Sequence, residues 1–404
     1  MPNILEKFAK MATENAPGQE ARHDDGHLHT IMVGDVLPGE PVDFSHGDVD
    51  AHAPTPGARE IWNEGYDAGG CQAYTEYRGL AEIRDGVARR LAAFTGAPVD
   101  PVHELIITPG TQGALFLALG ATVDTGTKVA IIEPDYFANR KLVTFFGGTI
   151  LPVGLRYQGA DDETGLDLEA LEQAFQGGAE VLVFSNPNNP TGFVYSQHEI
   201  QAMAKLAAQY SVTVVADQLY SRLLYSDAQF THFRACDTCP KNVITIMGPS
   251  KTESLSGFRL GVAFGTAAIV DRMEKLQAVV SLRAAGYNQR VLETWFNEPE
   301  GWMADRVAQH QAIRDDLLQI FNSAGLPTTI PQAGSYLFPR LPELTVSPVD
   351  FVRLLRLQAG VIVTPGSEFA PWTANSVRLN FSQDHAKAVA AAKRIVTMVE
   401  RYKQ

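Results

Sequence analysis

Between residues 104 and 264 the chain alternates short apolar runs with longer stretches in which apolar positions recur every three or four residues. The runs read ELIIT, KVAIIE, GTILPV, EVLVFS, VTVVAD, NVITIM and LGVAFG. They are rich in Val and Ile and bounded by Gly, Pro, Asn or Asp, which suits parallel strands buried on both faces. Helical patterns sit between several of them, at 111–120, 136–146, 168–175 and 198–209. Repeated strand–helix units predict an α/β fold with one open, mostly parallel sheet covered by helices. Longer helical patterns follow at 268–282 and 303–323. The C-terminal part mixes the strand runs SYLF, VIV and VRLNF with helical patterns that close at 386–402. That predicts a second, smaller α+β domain. The expected division is an N-terminal arm that joins the small domain (1–56), a large domain (57–300) and the small C-terminal domain (301–404).

Composition narrows the function classes. A chain of 404 residues has room for a large core and two domains. Its 45% hydrophobic and 20% charged content is that of an ordinary soluble globular protein. A formal net charge of −13 argues against nucleic-acid binding, which needs a basic face. No apolar run approaches the roughly 20 residues of a membrane span, so no membrane partner is expected. The opening MPNILEKFAKMATENAP is a short amphipathic pattern carrying both charge signs, without the continuous apolar centre of a secretory signal. A cytoplasmic protein is the expectation.

Cys71, Cys236 and Cys239 cannot form a disulfide framework. The pair Cys236-Asp-Thr-Cys239 has redox or half-zinc spacing. It lacks a second ligand pair, and it lies in a loop ending at Pro240 rather than opening a helix. Two incidental thiols and no metal are expected.

The chemistry gathers in the loops that follow the strands. MGPSKTESLSGFR, after VITIM, presents Lys251 at a strand end, with Arg259 eight residues later. In α/β sheets the carboxyl ends of strands are where ligands bind. TPGTQG, between a strand and a helix, makes an anion site from free backbone N–H groups and the helix dipole. SNPNNPTG, after EVLVFS, cannot be helical at its two Asn-Pro steps and carries several amides, Asn189 among them. VTVVAD ends in Asp217, an aspartate that is costly in a buried strand unless something positive meets it. Tyr220, three residues on, shares its face if a helical turn follows. Together these loops offer an amine, a carboxylate, a phenol, an amide, an anion cradle and an arginine along one sheet edge. A pyridine ring bearing an aldehyde, a phenolic oxygen and a phosphate needs each of those partners.

From about residue 43 to the C-terminus the chain resembles the fold-type I pyridoxal-phosphate enzymes, and within them the class I/II aminotransferases. SNPNNPTG, ADQLY and SKTESLSGFRLG, in that order, carry the resemblance. It implies pyridoxal 5'-phosphate as cofactor, held as a Schiff base on Lys251, with Asp217 opposite the pyridine nitrogen. It further implies that Tyr220 and Asn189 bond the phenolic oxygen and Arg259 the phosphate, with contacts from Gly110, Thr111 and Gln112. Tyr136, in EPDYF, matches the aromatic that stacks on the ring. Tyr74, in YTEYRG, matches the tyrosine that reaches the neighbouring subunit's phosphate, so a homodimer with shared sites is implied. Arg378, in SVRLNFS, matches the arginine that clamps the substrate α-carboxylate, and Gly47, in SHGDVD, a glycine lining the substrate pocket. Arg283, in SLRAAGYN, resembles the arginine that aspartate aminotransferases donate across the dimer to the side-chain carboxylate.

The chain departs from the pattern at two places. Gly248 stands where the family usually has a phosphate-binding hydroxyl, leaving Ser250 as the alternative contact or one bond fewer. Gly47-Asp48-Val49 replaces Gly-x-Pro, and His46 beside it matches no family role. The implied activity is ping-pong transfer of an amino group from an α-amino acid, with aspartate or glutamate as candidate donors, to a 2-oxo acid. A β-lyase, decarboxylase or oxidase on the same scaffold is the alternative. A non-catalytic ligand-binding domain lacks support, because no DNA-binding segment accompanies it.

Overall fold

The computed structural model describes residues 4–14, 16, 26–47, 51–157, 164–225 and 228–404. Eight strands form the main sheet: β1 (Leu105–Pro109), β2 (Lys128–Glu133), β3 (Thr149–Arg156), β4 (Gly165–Leu166), β5 (Val181–Ser185), β6 (Thr213–Asp217), β7 (Val243–Met247) and β8 (Leu260–Gly265). Their spatial order is β1-β8-β7-β6-β5-β2-β3-β4. The five strands from β7 to β3 in that order pair in parallel. The run LGVAFG, expected among the parallel strands, instead forms β8 and runs antiparallel to both neighbours. A parallel return needs a crossover, usually a helix. The segment 248–259 holds only the 3₁₀ turn Ser256–Phe258, so the chain doubles back.

Along β2, β5 and β6 successive side chains alternate between two cores. Ala130, Ile132, Leu182, Phe184, Val214 and Ala216 pack on one side against Leu171, Phe175, Ile200 and Met203. Val129, Ile131, Val183, Val215, Ile244 and Ile246 pack on the other against Leu115, Leu119, Ile269 and Met273. Burial on both faces explains why the strand sequences are almost continuously apolar.

Register then fixes what the sheet edge displays. Ser185 lies opposite Asp217, and Asp217 opposite Ile246. The loops after β2, β5, β6 and β7 therefore leave the sheet side by side. Pro109 pairs with Leu260, which sets the start of the helix Gly110–Gly120 beside Arg259.

The C-terminal unit carries a three-stranded antiparallel sheet of β9 (Tyr336–Leu337), β10 (Thr364–Pro365) and β11 (Val377–Asn380), with β11 in the middle. The helices Trp302–Ser323, Pro348–Ala359 and His385–Tyr402 cover it around Leu317, Phe321, Phe351, Leu379, Ile395 and Val399. The N-terminal segment joins this unit, because Val42–Asp43 pairs in parallel with Val361–Ile362 and Phe44 packs into the same core.

Candidate active site

The loops of the sheet edge and the start of β11 enclose a cavity of about 260 Å³. Lys251, Asp217, Tyr220, Thr111, Gln112, Tyr136, Asn189, Ser250, Arg259 and Arg378 all line it. Ten positions singled out in the sequence, from residue 111 to residue 378, thus converge on one space. Lys251 is half-buried and its amine has no hydrogen-bond or ion-pair partner among the described residues, so it is free to react.

One end of the cavity is built for an anion. Gly110 opens its helix at φ +78°, and a Cβ there would lie 2.5 Å from a guanidinium nitrogen of Arg259. A Cβ on Gly261 would lie 2.4 Å from the Gly110 carbonyl carbon and 2.5 Å from the Thr111 nitrogen. Only two glycines allow this close approach, which sets a cation over a helix N-terminus carrying free N–H groups. Arg259 itself has φ +52° and donates to the Ser256 carbonyl at 3.0 Å. Gly248 is also spatially required, since a Cβ would come within 2.9 Å of the Thr111 side-chain methyl. A hydroxyl side chain there would need Thr111 or the Leu260 carbonyl to shift. Ser250 is buried on the cavity wall and its hydroxyl donates to the Leu260 carbonyl at 3.2 Å, leaving its lone pairs rather than its proton to the cavity.

The rest of the cavity wall presents a carboxyl, three phenols and an arginine. The Asp217 carboxylate accepts the Leu219 N–H at 3.0 Å and has no other partner among the described residues. Burial without a counter-charge pushes it from 3.8 up to about 6, against the pull of that N–H. A protonated ring nitrogen is the kind of partner that would reverse this. The Tyr220 hydroxyl meets the Tyr336 hydroxyl at 2.5 Å, and burial drives the Tyr220 ionisation well above its ordinary value. Tyr136 bonds Gln112 Oε1 at 2.8 Å, which holds its ring at the cavity wall.

Arg378 is 3% exposed. Its guanidinium lies between the rings of Tyr336 (4.5 Å) and Phe369 (4.9 Å). One terminal nitrogen donates to Asn189 Oδ1 at 3.1 Å and the other to the Ser45 carbonyl at 2.7 Å. Its Nε–H is buried and unpaired. A buried cation with no carboxylate among its hydrogen-bond partners is costly until an anion arrives.

A second cavity of about 360 Å³ adjoins the first across Lys251 and Tyr220, and Gly47 lies on its wall. His46 lines both and pairs with Asp43 at 3.1 Å, which raises its pKa above the ordinary histidine value. Asp48 and Val49 lie outside the described residues. Tyr74 and Arg283 stand outside both cavities. Tyr74 is 77% exposed, with the Arg283 guanidinium 4.8 Å above its ring and donating to the Thr75 carbonyl at 2.6 Å. Tyr66, Tyr77, Val279, Val280 and Leu282 are exposed as well. Cys236 and Cys239 are free thiols, and burial raises both pKa values, Cys236 to about 11. Reactive thiols are lowered, not raised. No cluster of metal ligands occurs among the described residues.

Sequence reasoning passed over Tyr336, Ser45 and Ser185, all on the cavity wall, and Asp135 behind it. Tyr336 sits in SYLF, read only as a strand. Its hint was a polar-tipped aromatic beside Ser335, in a strand that pairs with the one bearing Arg378.

A model of the family described as Aminotransferase class I and II matches residues 40–395. The chain is similar to a crystallised aspartate aminotransferase from Rhodobacter sphaeroides 2.4.1, with 62% identity, 100% of each chain covered and a TM-score of 0.95. It is also similar to the aspartate/prephenate aminotransferase of Thermus thermophilus, 28% identical over 83% of this chain and 85% of that one. The aromatic-amino-acid aminotransferase 2 of Thermococcus litoralis is 25% identical, over 85% of this chain and 88% of its own.

Proposed function

The chain belongs to the class I and II aminotransferases, and we propose that its cavity moves the amino group of aspartate or glutamate to a 2-oxo acid. It is a pyridoxal-phosphate-dependent transferase with the aspartate aminotransferase-like fold; the donor and the role of each residue are the proposal. The observation that carries it is the pairing, in one cavity, of a free lysine amine with a buried arginine whose Nε–H is unpaired. The similarity to the Rhodobacter sphaeroides aspartate aminotransferase favours an acidic donor.

Lys251 would hold the cofactor, Asp217 would pair with its ring nitrogen, and Tyr220 and Asn189 would serve its phenolic oxygen. Arg259 and the 110–112 backbone would take the phosphate, Ser250 would flank it, and Tyr136 would stack on the ring. Pyridoxal phosphate, when bound, accepts the electrons of the donor's Cα–H bond into its ring. Asp217 keeps the ring nitrogen protonated. Arg378 holds the donor's α-carboxylate, and Gly47 lines the adjoining part of the pocket. Lys251 Nζ, set free once the donor's own amine takes its place, would take the Cα proton and later return it one carbon away, as general base and then general acid. The 2-oxo product leaves before the acceptor enters, which is ping-pong order.

The same proposal makes the enzyme a cytoplasmic homodimer. The exposed face around Tyr66, Tyr74, Tyr77, Val279, Val280 and Leu282 suits a second copy. It would carry Tyr74 to the partner's phosphate and Arg283 to the distal carboxylate of the partner's substrate.

The test is a screen of the twenty amino acids against a 2-oxo acid acceptor. Stoichiometric formation of a new 2-oxo acid and a new amino acid, best with aspartate or glutamate, is expected. Release of ammonia, CO2 or thiol in place of transfer would overturn the reading.

A further inference from the structure

Asp135 follows β2 through Pro134 and is 1% exposed. It does not line the cavity. Its Oδ1 accepts the Tyr136 N–H at 2.8 Å and the Ser185 hydroxyl, and its Oδ2 accepts the Ser185 N–H at 3.2 Å and the Asn139 amide at 3.0 Å. All four partners are donors. Burial pushes this carboxyl up to about 8, opposed by Ser185, Tyr136 and Asn139. A protonated acid would need an acceptor for its own O–H, and as these bonds run the Ser185 oxygen is the one such group; it already accepts the Asn189 N–H at 3.1 Å and the Asn188 amide at 3.5 Å, so the network suits the carboxylate.

The chain of bonds has a fixed direction. The Ser185 hydroxyl has one proton and gives it to Asp135. Its oxygen is left to accept the Asn189 N–H at 3.1 Å. Asn189 in turn offers Oδ1 to Arg378. One buried charge thereby orients Ser185, the peptide of the ring-stacking Tyr136, and the amide that touches the substrate arginine.

We infer that Asp135 is a positioning residue: through Ser185 and the Tyr136 N–H it fixes Asn189 and the Tyr136 ring against the cofactor, and through Asn189 it sets Arg378. This rests on the functional reading above for the identity of the cofactor and substrate. Asp135→Asn puts an amide where four donors converge, so its NH2 group faces either the Tyr136 N–H and the Ser185 hydroxyl or the Ser185 N–H and the Asn139 amide, and the charge that orders Ser185 is gone. Ser185→Ala removes the link and leaves the charge.

The test titrates pyridoxal phosphate back into the stripped full-length protein and measures KM for the donor. Losing a hydrogen bond to a charged group predicts that Asp135→Asn weakens cofactor affinity about 10- to 100-fold and raises donor KM similarly, with a smaller fall in kcat. Ser185→Ala should show the same split, and the double variant should be no worse than Asp135→Asn alone, as expected for groups acting in series. Additive losses in the double variant would overturn the inference. So would a lowered Tm with unchanged cofactor affinity and KM. If Asp135→Asn does not fold, Ser185→Ala alone decides: normal cofactor affinity and KM sink the inference. Cofactor titration needs no substrate, so a wrong donor assignment would leave this result standing.

Discussion

Asp217→Asn should make the cofactor-free protein more stable while removing most of the enzyme's turnover. The carboxyl is enclosed at the end of β6 with one N–H for company, and burial lifts it from 3.8 to about 6. The folded state therefore holds this proton more tightly than the unfolded chain. The stability it contributes is present below pH 3.8 and is lost as pH rises through about 6. A rise of that size corresponds to about 3 kcal/mol once both states are ionised. Asp217 lines the open cavity, where water screens it, so about 1–3 kcal/mol is the expected penalty at pH 8. Asparagine keeps the acceptor for Leu219 and carries no charge. Urea unfolding of the two stripped proteins should give the variant that advantage at pH 8 and much less at pH 4. With cofactor bound the order should reverse, because the pyridinium proposed to stand opposite Asp217 would make the charge favourable. An ion pair that strengthens in the transition state is worth several kcal/mol, so kcat should fall by orders of magnitude. If stripped wild type and variant unfold alike at pH 8, Asp217 is not a carboxylate held against its own burial. Near-normal turnover by the variant would make it a structural strand-end residue.

Borohydride reduction of the cofactor-loaded protein should fix the label on Lys251, and a peptide map placing it on any other lysine would refute the central assignment. Arg283→Ala should lower kcat/KM for aspartate by orders of magnitude while barely changing alanine, since an apolar side chain never needed the pairing; equal losses would return Arg283 to a purely structural contact with Tyr74. Mixing inactive Lys251→Ala with Tyr74→Ala subunits should restore one intact site per hybrid dimer. A fully active monomer in sedimentation would remove the dimer from the proposal.

The residues legible in the sequence share a property. Each sits within a few positions of a strand end whose apolar run is unmistakable, as Asp217 follows VTVVA and Lys251 follows VITIM. Parallel pairing makes the ends of those runs neighbours. Sequence order alone then implies that the loops meet. The direction of β8 was less legible, because LGVAFG is as apolar as its parallel neighbours. Only the missing crossover helix in 248–259 distinguishes it. The helix Ala81–Thr95 was passed over although Ile83, Val87 and Leu91 carry the spacing of one buried face.

What stayed hidden are polar groups whose partners lie far along the chain and whose own surroundings look ordinary. Asp135 stands 50 residues from Ser185, and Tyr220 stands 116 from Tyr336. Arg222 shows the same principle around the lysine loop. It lies on the Phe296 ring at 4.1 Å, bonds both oxygens of Glu298 at 2.7 and 2.9 Å, and bonds Glu253, two residues past Lys251. Glu253 is buried, and burial lifts its carboxyl to about 7 despite that arginine. An ionised group in an interior is tolerable only where its partners are already fixed. The loop bearing Lys251 is therefore held from behind by Arg222, two residues past Tyr220, and in front by the Gly248 and Gly261 backbones against Thr111. Strand ends bring the reactive side chains to one edge. Distant buried charges then decide which way they face, and a linear pattern of apolar and polar positions carries the first kind of information but not the second.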